Sequence, residues 1–300
     1  MQTSYLQRLT LRQVDVFLAV CQHMSYSRAA EELSLTQPAV SAQIRSLEEL
    51  IRQPLFDYVG RRLYLTPAGK LLQRAARDLQ QRLVNLEIEL TELHGKLQGS
   101  LNIIIESSAE ALIPAYINRF CQQHPDAEVS LHVDNHQHLI KRLHDNMHDL
   151  AVMTRVPSDQ GLQYTPFAEH QLLAVAAIHH PLADAGPLSL HEFLENRLLL
   201  REPGSGSRQV LEDYCQQQSC VIRRTRVLGS NQAIRHALVD SEDCAVLPAS
   251  VAEQGISDGS LVALQVEGFP IKRSWCSAYQ RGKRLSPLAS AFLDALHGPA

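Results

Sequence analysis

The stretch Ser25–Glu49, "SYSRAAEELSLTQPAVSAQIRSLEE", sets two short apolar patterns on either side of "LSLT". The first, Ala29, Ala30 and Leu33, predicts a short helix from about Ser27 to Leu33, with Ser25 or Ser27 as its cap. Thr36 then offers a second cap, and Pro38 falls in a first turn, where its missing N–H loses no helical partner. The proline is a start signal. The helix that follows, about Gln37 to Leu50, turns Val40, Ile44, Leu47 and Ile51 to one face at about 100° per residue. Gln37, Pro38, Ser41 and Arg45 project from the other, and Gln43 lies at the edge of the buried face. Two short helices across a tight turn, the second with a polar and arginine face, have helix-turn-helix geometry. Gln, Ser and Arg can donate to base edges and phosphates in a major groove. The solvated face of an ordinary three-helix bundle has the same periodicity, so spacing supplies the geometry and not the DNA.

Upstream, Leu11, Val14, Phe17, Leu18 and Cys21 recur at helical spacing and predict a preceding helix. Downstream, "PLFDYVGRRLYLT" alternates apolar and polar residues around Gly60, a small hairpin with Arg61 and Arg62 at its tip. Thr66 and Pro67 of "TPAGKLL" restart a helix. Along it Leu72, Ala76, Leu79, Leu83, Leu86, Leu90, Leu93 and Leu97 recur at alternating steps of four and three, a heptad seam suited to pairing with another copy. Packing onto the chain's own C-terminal part is the alternative.

The chain has 300 residues, 45% of them hydrophobic, and a formal net charge of -4. Charge is uneven. Residues 1–96 hold 12 Lys/Arg and 10 Asp/Glu (+2), leaving 16 and 22 (-6) for the remainder, which places any phosphate-binding role at the N-terminus. No apolar run has signal-peptide length and none approaches the roughly 20 residues of a membrane span, so a cytoplasmic protein is expected. The six cysteines show no CxxC and no zinc spacing; buried thiols are the plain reading, and Cys215 with Cys220 is the pair to consider for redox chemistry. His144 and His148 stand four apart, one face if helical, but lack acidic or thiol partners for a metal.

Gly95 and Gly99 break the long helix. From "LNIII" onward, strand and helix patterns alternate to a final helix "PLASAFLDAL", which argues an α/β region with mostly parallel sheets. No P-loop, GxGxxG, HExxH or GxSxG occurs, so no catalytic residues, metal or cofactor are expected.

The segments "RAAEELSLTQPAVSAQIRSLEE", "PLF", "GRRLYLTPAG" and the long helix together resemble the LysR-type transcriptional regulators. The resemblance implies a winged helix-turn-helix at 1–66, a linker helix for dimerisation at 67–98 and an effector-binding domain at 99–300. It puts the DNA contacts on Ser27, Arg28, Gln37, Pro38, Ser41, Arg45, Arg61 and Arg62. Family members usually carry Gly in the turn after the recognition helix. Here stands Arg52, strained in a left-handed helix end, so the turn is expected to differ, with Arg52 available to a phosphate.

By the same resemblance, the C-terminal region folds like a type 2 periplasmic binding protein. Lobe I would comprise about 99–167 and 268–300, and lobe II about 168–267. Strand ends and helix N-termini meet in such a cleft and suit anions. The candidates for effector binding are Ser107, Ser108, Thr154, Asn231 after Ser230, and the loop "REPGSGSR" with Arg201, Ser205, Ser207 and Arg208. In that loop the glycines permit a backbone nest and the arginines supply charge; a plain turn and helix cap is the alternative. "HHPLA", "GSNQAIRHAL" and "GFPIKRSWCSAYQRGKRLSPLASAF" look most like regulators of carbon-fixation (RuBisCO) operons, which respond to phosphorylated metabolites or reduced nicotinamide nucleotides. Two departures leave open a different effector, such as a small carboxylate, or none: Glu106 near the cleft, and the acidic turn Ser241-Glu242-Asp243. The partners implied are promoter DNA, a small anionic effector, further copies of the chain as dimer or tetramer, and RNA polymerase, with no membrane. A redox-sensing regulator and a solute-binding protein without DNA binding are the rival readings.

Overall fold

The computed structural model describes residues 5–60, 62–92, 97–154 and 161–298. They fall into two compact units, residues 1–87 and 88–300.

In the first unit a 3-10 turn, Tyr5–Arg8, precedes α1 (Leu11–His23), α2 (Tyr26–Glu32) and α3 (Gln37–Ile51). Each helix starts on a side-chain cap: Thr10 in a reciprocal box with Gln13, then Ser25, then Thr36. Val14, Phe17, Val20, Ala29, Ala30, Val40, Ile44 and Leu47 make one core, with Leu33 and Ile51 packed at its edge. Leu11 departs from its expected place; it is exposed, while Val16 and Ala19 are buried. The expectation for the turn after α3 also fails. The helix keeps a left-handed end with Arg52 itself at φ 59° and ψ 31°.

The wing is an antiparallel hairpin, β1 (Phe56–Val59) and β2 (Arg62–Leu65), turning at Gly60 with φ 65°. Helix α4 (Pro67–Glu92) begins in this unit. Thr66 Oγ1 accepts from Gly69 N at 3.0 Å and donates to Pro54 O at 2.6 Å, locking the helix start to the hairpin's entry. Of the seam residues, Ala76 is buried and Leu72 half-buried in this core, while Leu79, Leu83, Leu86 and Leu90 are exposed. Arg61 and Leu93 lie outside the described residues.

The second unit holds β3 (Gly99–Glu106), α5 (Ile113–Gln123), β4 (Ala127–Asp134), α6 (His136–His144), β5 (Leu150–Met153), β6 (Leu162–Ala177) and α7 (Leu190–Leu194). These are followed by β7 (Leu198–Leu200), α8 (Gly206–Gln217), β8 (Thr225–Val227), α9 (Asn231–Val239), β9 (Cys244–Pro248) and α10 (Ala249–Ser257). Last come β10 (Leu261–Ala263), β11 (Ile271–Gln280) and α11 (Pro287–His297). The strand order is β4-β3-β5-β11-β6-β9-β7-β8, with β10 beside β6. Pairing is parallel for β4-β3-β5 and for β9-β7-β8, but antiparallel for the long strands β6 and β11 that join the two halves. The sheet is therefore mixed rather than mostly parallel, because β6 and β11 carry the chain from one half to the other and back.

Each half is a lobe with its own core. Ile103, Ile105, Phe120, Val152 and Phe292 pack in the first; Leu172, Phe193, Leu198, Leu211 and Val246 pack in the second. On β6 the packing changes between Ala168 and Leu172, and on β11 between Ile271 and Trp275. The carboxyl ends of the parallel strands carry the loops at 106–108, 134–136 and 154 in one lobe, and at 201–206, 228–231 and 248–250 in the other. Ligands bind at such ends in open α/β sheets.

Candidate DNA-binding face and effector cleft

On α2, Ser27 and Arg28 are exposed in the first turn. On α3, Gln37, Pro38 and Arg45 are exposed and Ser41 is half-buried, with Gln37 Nε2 donating to Ser41 Oγ at 2.8 Å. Arg62 is exposed on β2. Glu48, which the sequence reading left aside, fixes the wing to α3: its Oε1 accepts from Leu55 N at 2.8 Å and Phe56 N at 3.4 Å. A carboxylate facing back from a helix toward a following Pro-Leu turn was the available signal. Gly69 is also structural, since any side chain there would run into the carbonyl of Leu55.

In the second unit some of the candidate residues meet across the two lobes. Arg201 Nη1 donates to Ser107 Oγ at 2.9 Å, and Gln137 N donates to Gly204 O at 3.2 Å, so both bonds cross the cleft. Ser108, Thr154, Ser205, Ser207 and Asn231 are all buried. Neither arginine has its charge to spare. Arg201, 5% exposed, makes a two-pronged pair with Glu202 (2.9 and 3.0 Å), and Arg208 bonds Glu212 and the carbonyl of Arg201 at 2.7 and 3.0 Å. Burial opposes ionisation of Glu202, but hydrogen bonds from Arg201, from the backbone and from Asn135, with the charge of Arg201, together outweigh it and hold its carboxyl below the usual range. The positive charge of this loop is therefore paired with the carboxylates of Glu202 and Glu212.

Glu106 does lie in the cleft, as its position at the end of the first strand implied. Its Oε1 stands 2.6 Å from His136 Nδ1, and its Oε2 accepts from Thr154 Oγ1 at 3.1 Å. The sequence reading missed His136, although it begins the helix after a parallel strand and so sits at the same sheet edge. Beside these contacts, a cavity of about 330 Å³ is lined by Ser108, Leu112, Glu169, His170, Ser250 and Trp275 among others. The His170 and Trp275 rings are 4.5 Å apart, and burial pushes His170 down to about 4, with Glu106 opposing the shift.

Other candidates lie elsewhere. Asp243 precedes β9, at the edge away from the cleft, and is fully buried against Arg197 at 2.5 Å and Arg226 at 3.4 Å. Its turn is structural. His144 and His148 do not share a helix face, because α6 ends at His144 and Asn146 takes a left-handed conformation at φ 49°. All six cysteines are free thiols, and burial pushes Cys215 up to about 11, away from a reactive thiolate. Among the described residues no group of His, Cys, Asp and Glu could hold a metal, and no helix is long and apolar enough to cross a membrane.

A winged helix-turn-helix and a two-lobed α/β unit with polar groups at its cleft are the two parts of a LysR-type transcriptional regulator. The chain belongs to that family: residues 11–70 match the bacterial regulatory helix-turn-helix protein, lysR family, and residues 94–298 match the LysR substrate binding domain. It is a DNA-binding regulator with an effector-binding domain, and not an enzyme. Within the family it is similar to the RuBisCO operon transcriptional regulator of Acidithiobacillus ferrooxidans, at 36% identity over 97% of this chain and 94% of the relative. The regulatory domain of Synechocystis CcmR, solved in complex with 2-PG, matches with a TM-score of 0.62 and 32% identity, over 67% of this chain and 96% of that one. Full-length CbnR, solved with its target DNA, shares the fold at a TM-score of 0.66 and 19% identity, over 96% and 99% of the two chains.

Proposed function

We propose that this regulator reads promoter DNA with the outer face of α3 and that its cleft takes a small anionic metabolite whose binding alters transcription. One observation carries the DNA reading: Gln37, Pro38 and Arg45 are exposed on the helix whose other face, Val40, Ile44 and Leu47, is buried. Ser27, Arg28 and Ser41 would flank that face, with Arg61 and Arg62 reaching phosphates from the wing. The anionic effector is favoured by the 2-PG bound to the related CcmR domain and by the hydroxyls and helix starts at Ser107, Ser108, Thr154, Ser205, Ser207 and Asn231. Arg201 and Arg208 would order that loop.

The exposed leucines of α4 suit pairing with a second copy, which would present two recognition helices to a two-fold site. The chain would divide at 1–66, 67–98 and 99–300 and act in the cytoplasm, where the bound regulator would meet RNA polymerase. The test is selection of duplexes from a randomised pool by the full-length chain, followed by anisotropy titration with and without 2-phosphoglycolate. Enrichment of a two-fold motif, lost in Arg45→Ala, is expected; an unenriched pool would sink the DNA-face assignment.

A further inference from the structure

Glu106 closes β3 with a carboxylate that is 2% exposed and bonded to His136 and Thr154 of its own lobe. It also reaches the other lobe. A methyl group at Gly206, the first residue of α8, would lie 2.7 Å from Glu106 Oε2. Helix α8 runs twelve residues, Gly206–Gln217, and no side chain caps its start; Ser205 and Ser207 turn their hydroxyls to each other at 3.2 Å. Asn231, the first residue of α9 and 5% exposed, leaves both Nδ2 and Oδ1 without a partner. An uncapped helix start carries partial positive charge and free N–H donors, the features that hold an anion. Here the negative group set against it comes from the opposite lobe of the same chain.

We propose that Glu106 is a tethered stand-in for the anionic effector: it holds the cleft's anion position, and a free anion enters only by displacing it. The inference rests on the anionic-effector reading above and makes Glu106 the residue that determines specificity. A ligand must outcompete a carboxylate delivered at high effective concentration. Multiply charged anions that also engage the buried hydroxyls would do so, and weak monoanions would not. Because Glu106 belongs to one lobe and α8 to the other, its contact also helps to hold the cleft together before any ligand arrives.

The test is calorimetric titration of the full-length wild type, Glu106→Ala and Glu106→Gln with inorganic phosphate, and with 2-phosphoglycolate as a second probe. Removing the stand-in raises the competent fraction of the site, so Glu106→Ala should bind phosphate about tenfold tighter than the wild type. Glu106→Gln keeps the volume and loses the charge, so it should bind about threefold tighter, and it decides the matter if the alanine variant does not fold. Equal or weaker binding in the variants overturns the proposal. If 2-phosphoglycolate binds all three proteins equally, the anionic-effector reading survives and the role of Glu106 falls. If no anion binds any of them, both fall.

Discussion

Arg201 Nη1 donates to Ser107 Oγ at 2.9 Å, a bond from the end of β7 in one lobe to the end of β3 in the other. Because the same guanidinium is held by Glu202 through two further bonds, its reach across the cleft is fixed rather than searching. Ser107→Ala removes one charge-assisted bond and leaves the Glu202 pair in place. The expected loss is about 1 kcal/mol, a fall in Tm of about 2–4 °C by scanning calorimetry. Arg201→Ala also strands the part-buried Glu202 carboxylate and should cost about 2–3 kcal/mol. Equal effects of the two changes would mean that Glu202 gains nothing from Arg201.

Arg52 ends α3 at φ 59°, a conformation that costs a residue with a Cβ about 1 kcal/mol and costs glycine little. Arg52→Gly should therefore raise the Tm of the first unit, whereas Arg52→Ala, strained in the same way, should not. A parallel gain in both variants would assign the effect to lost charge instead of backbone strain.

Gly69 presents the reverse case. It sits in the first turn of α4 with the Leu55 carbonyl where a side chain would go, and Thr66 binds both its N–H and the Pro54 carbonyl. Gly69→Ala must push the hairpin off the helix start, at a cost of about 2–3 kcal/mol in thermal or denaturant unfolding. A change of less than about 0.5 kcal/mol would show that the hairpin shifts freely.

His170 has its ordinary value of 6.5 pushed down to about 4, first by burial, with Glu106 pulling the other way. The folded state disfavours its protonation, so its contribution is complete above about pH 6.5 and declines as pH falls from there toward 4. The loss amounts to about 3 kcal/mol at the bottom of that window. His148, also pushed to about 4 chiefly by burial, acts in the same direction. His170→Phe keeps a ring against Trp275, 4.5 Å away in the wild type, and should shrink the drop in Tm between pH 7 and pH 4.5 without abolishing it. An unchanged drop would mean that His170 protonates as readily folded as unfolded.

These groups differ in how far the sequence alone reveals them. The start of α3 was legible because Thr36 and Pro38 are local signals, and the outward face of α3 followed from periodicity. Cleft positions such as Ser107, Thr154 and Asn231 were legible as strand or helix ends. Their pairings were not. Glu106 meets His136 only because β3 and β4 pair in parallel with Glu106 beside Asp134, a register that no local pattern fixes. Arg201 is neutralised by its own neighbour Glu202, but adjacent residues on a strand would point apart, and only the loop geometry brings them together. That His144 and His148 do not share a helix face was not legible, because Asn146, a tolerated left-handed residue, follows the helix end without glycine or proline.

The two exposed arginines proposed to contact DNA allow a test that separates phosphate contacts from base contacts. Arg45 projects from α3 and Arg62 from the wing, both exposed. A wing arginine on a phosphate contributes affinity without sequence information, and its loss reduces the slope of log K against log salt by about one. An arginine bonded to a base edge contributes about 1–3 kcal/mol of discrimination at one position. Arg62→Ala should therefore weaken binding to matched and scrambled duplexes alike and flatten the salt dependence. Arg45→Ala should weaken the matched duplex far more than the scrambled one. Since Arg45 lies one turn beyond Ser41 on the exposed face, a uniform loss on both duplexes would move it to the phosphate backbone. Base reading would then fall to Gln37 and Ser41, whose 2.8 Å hydrogen bond already holds the two side chains together.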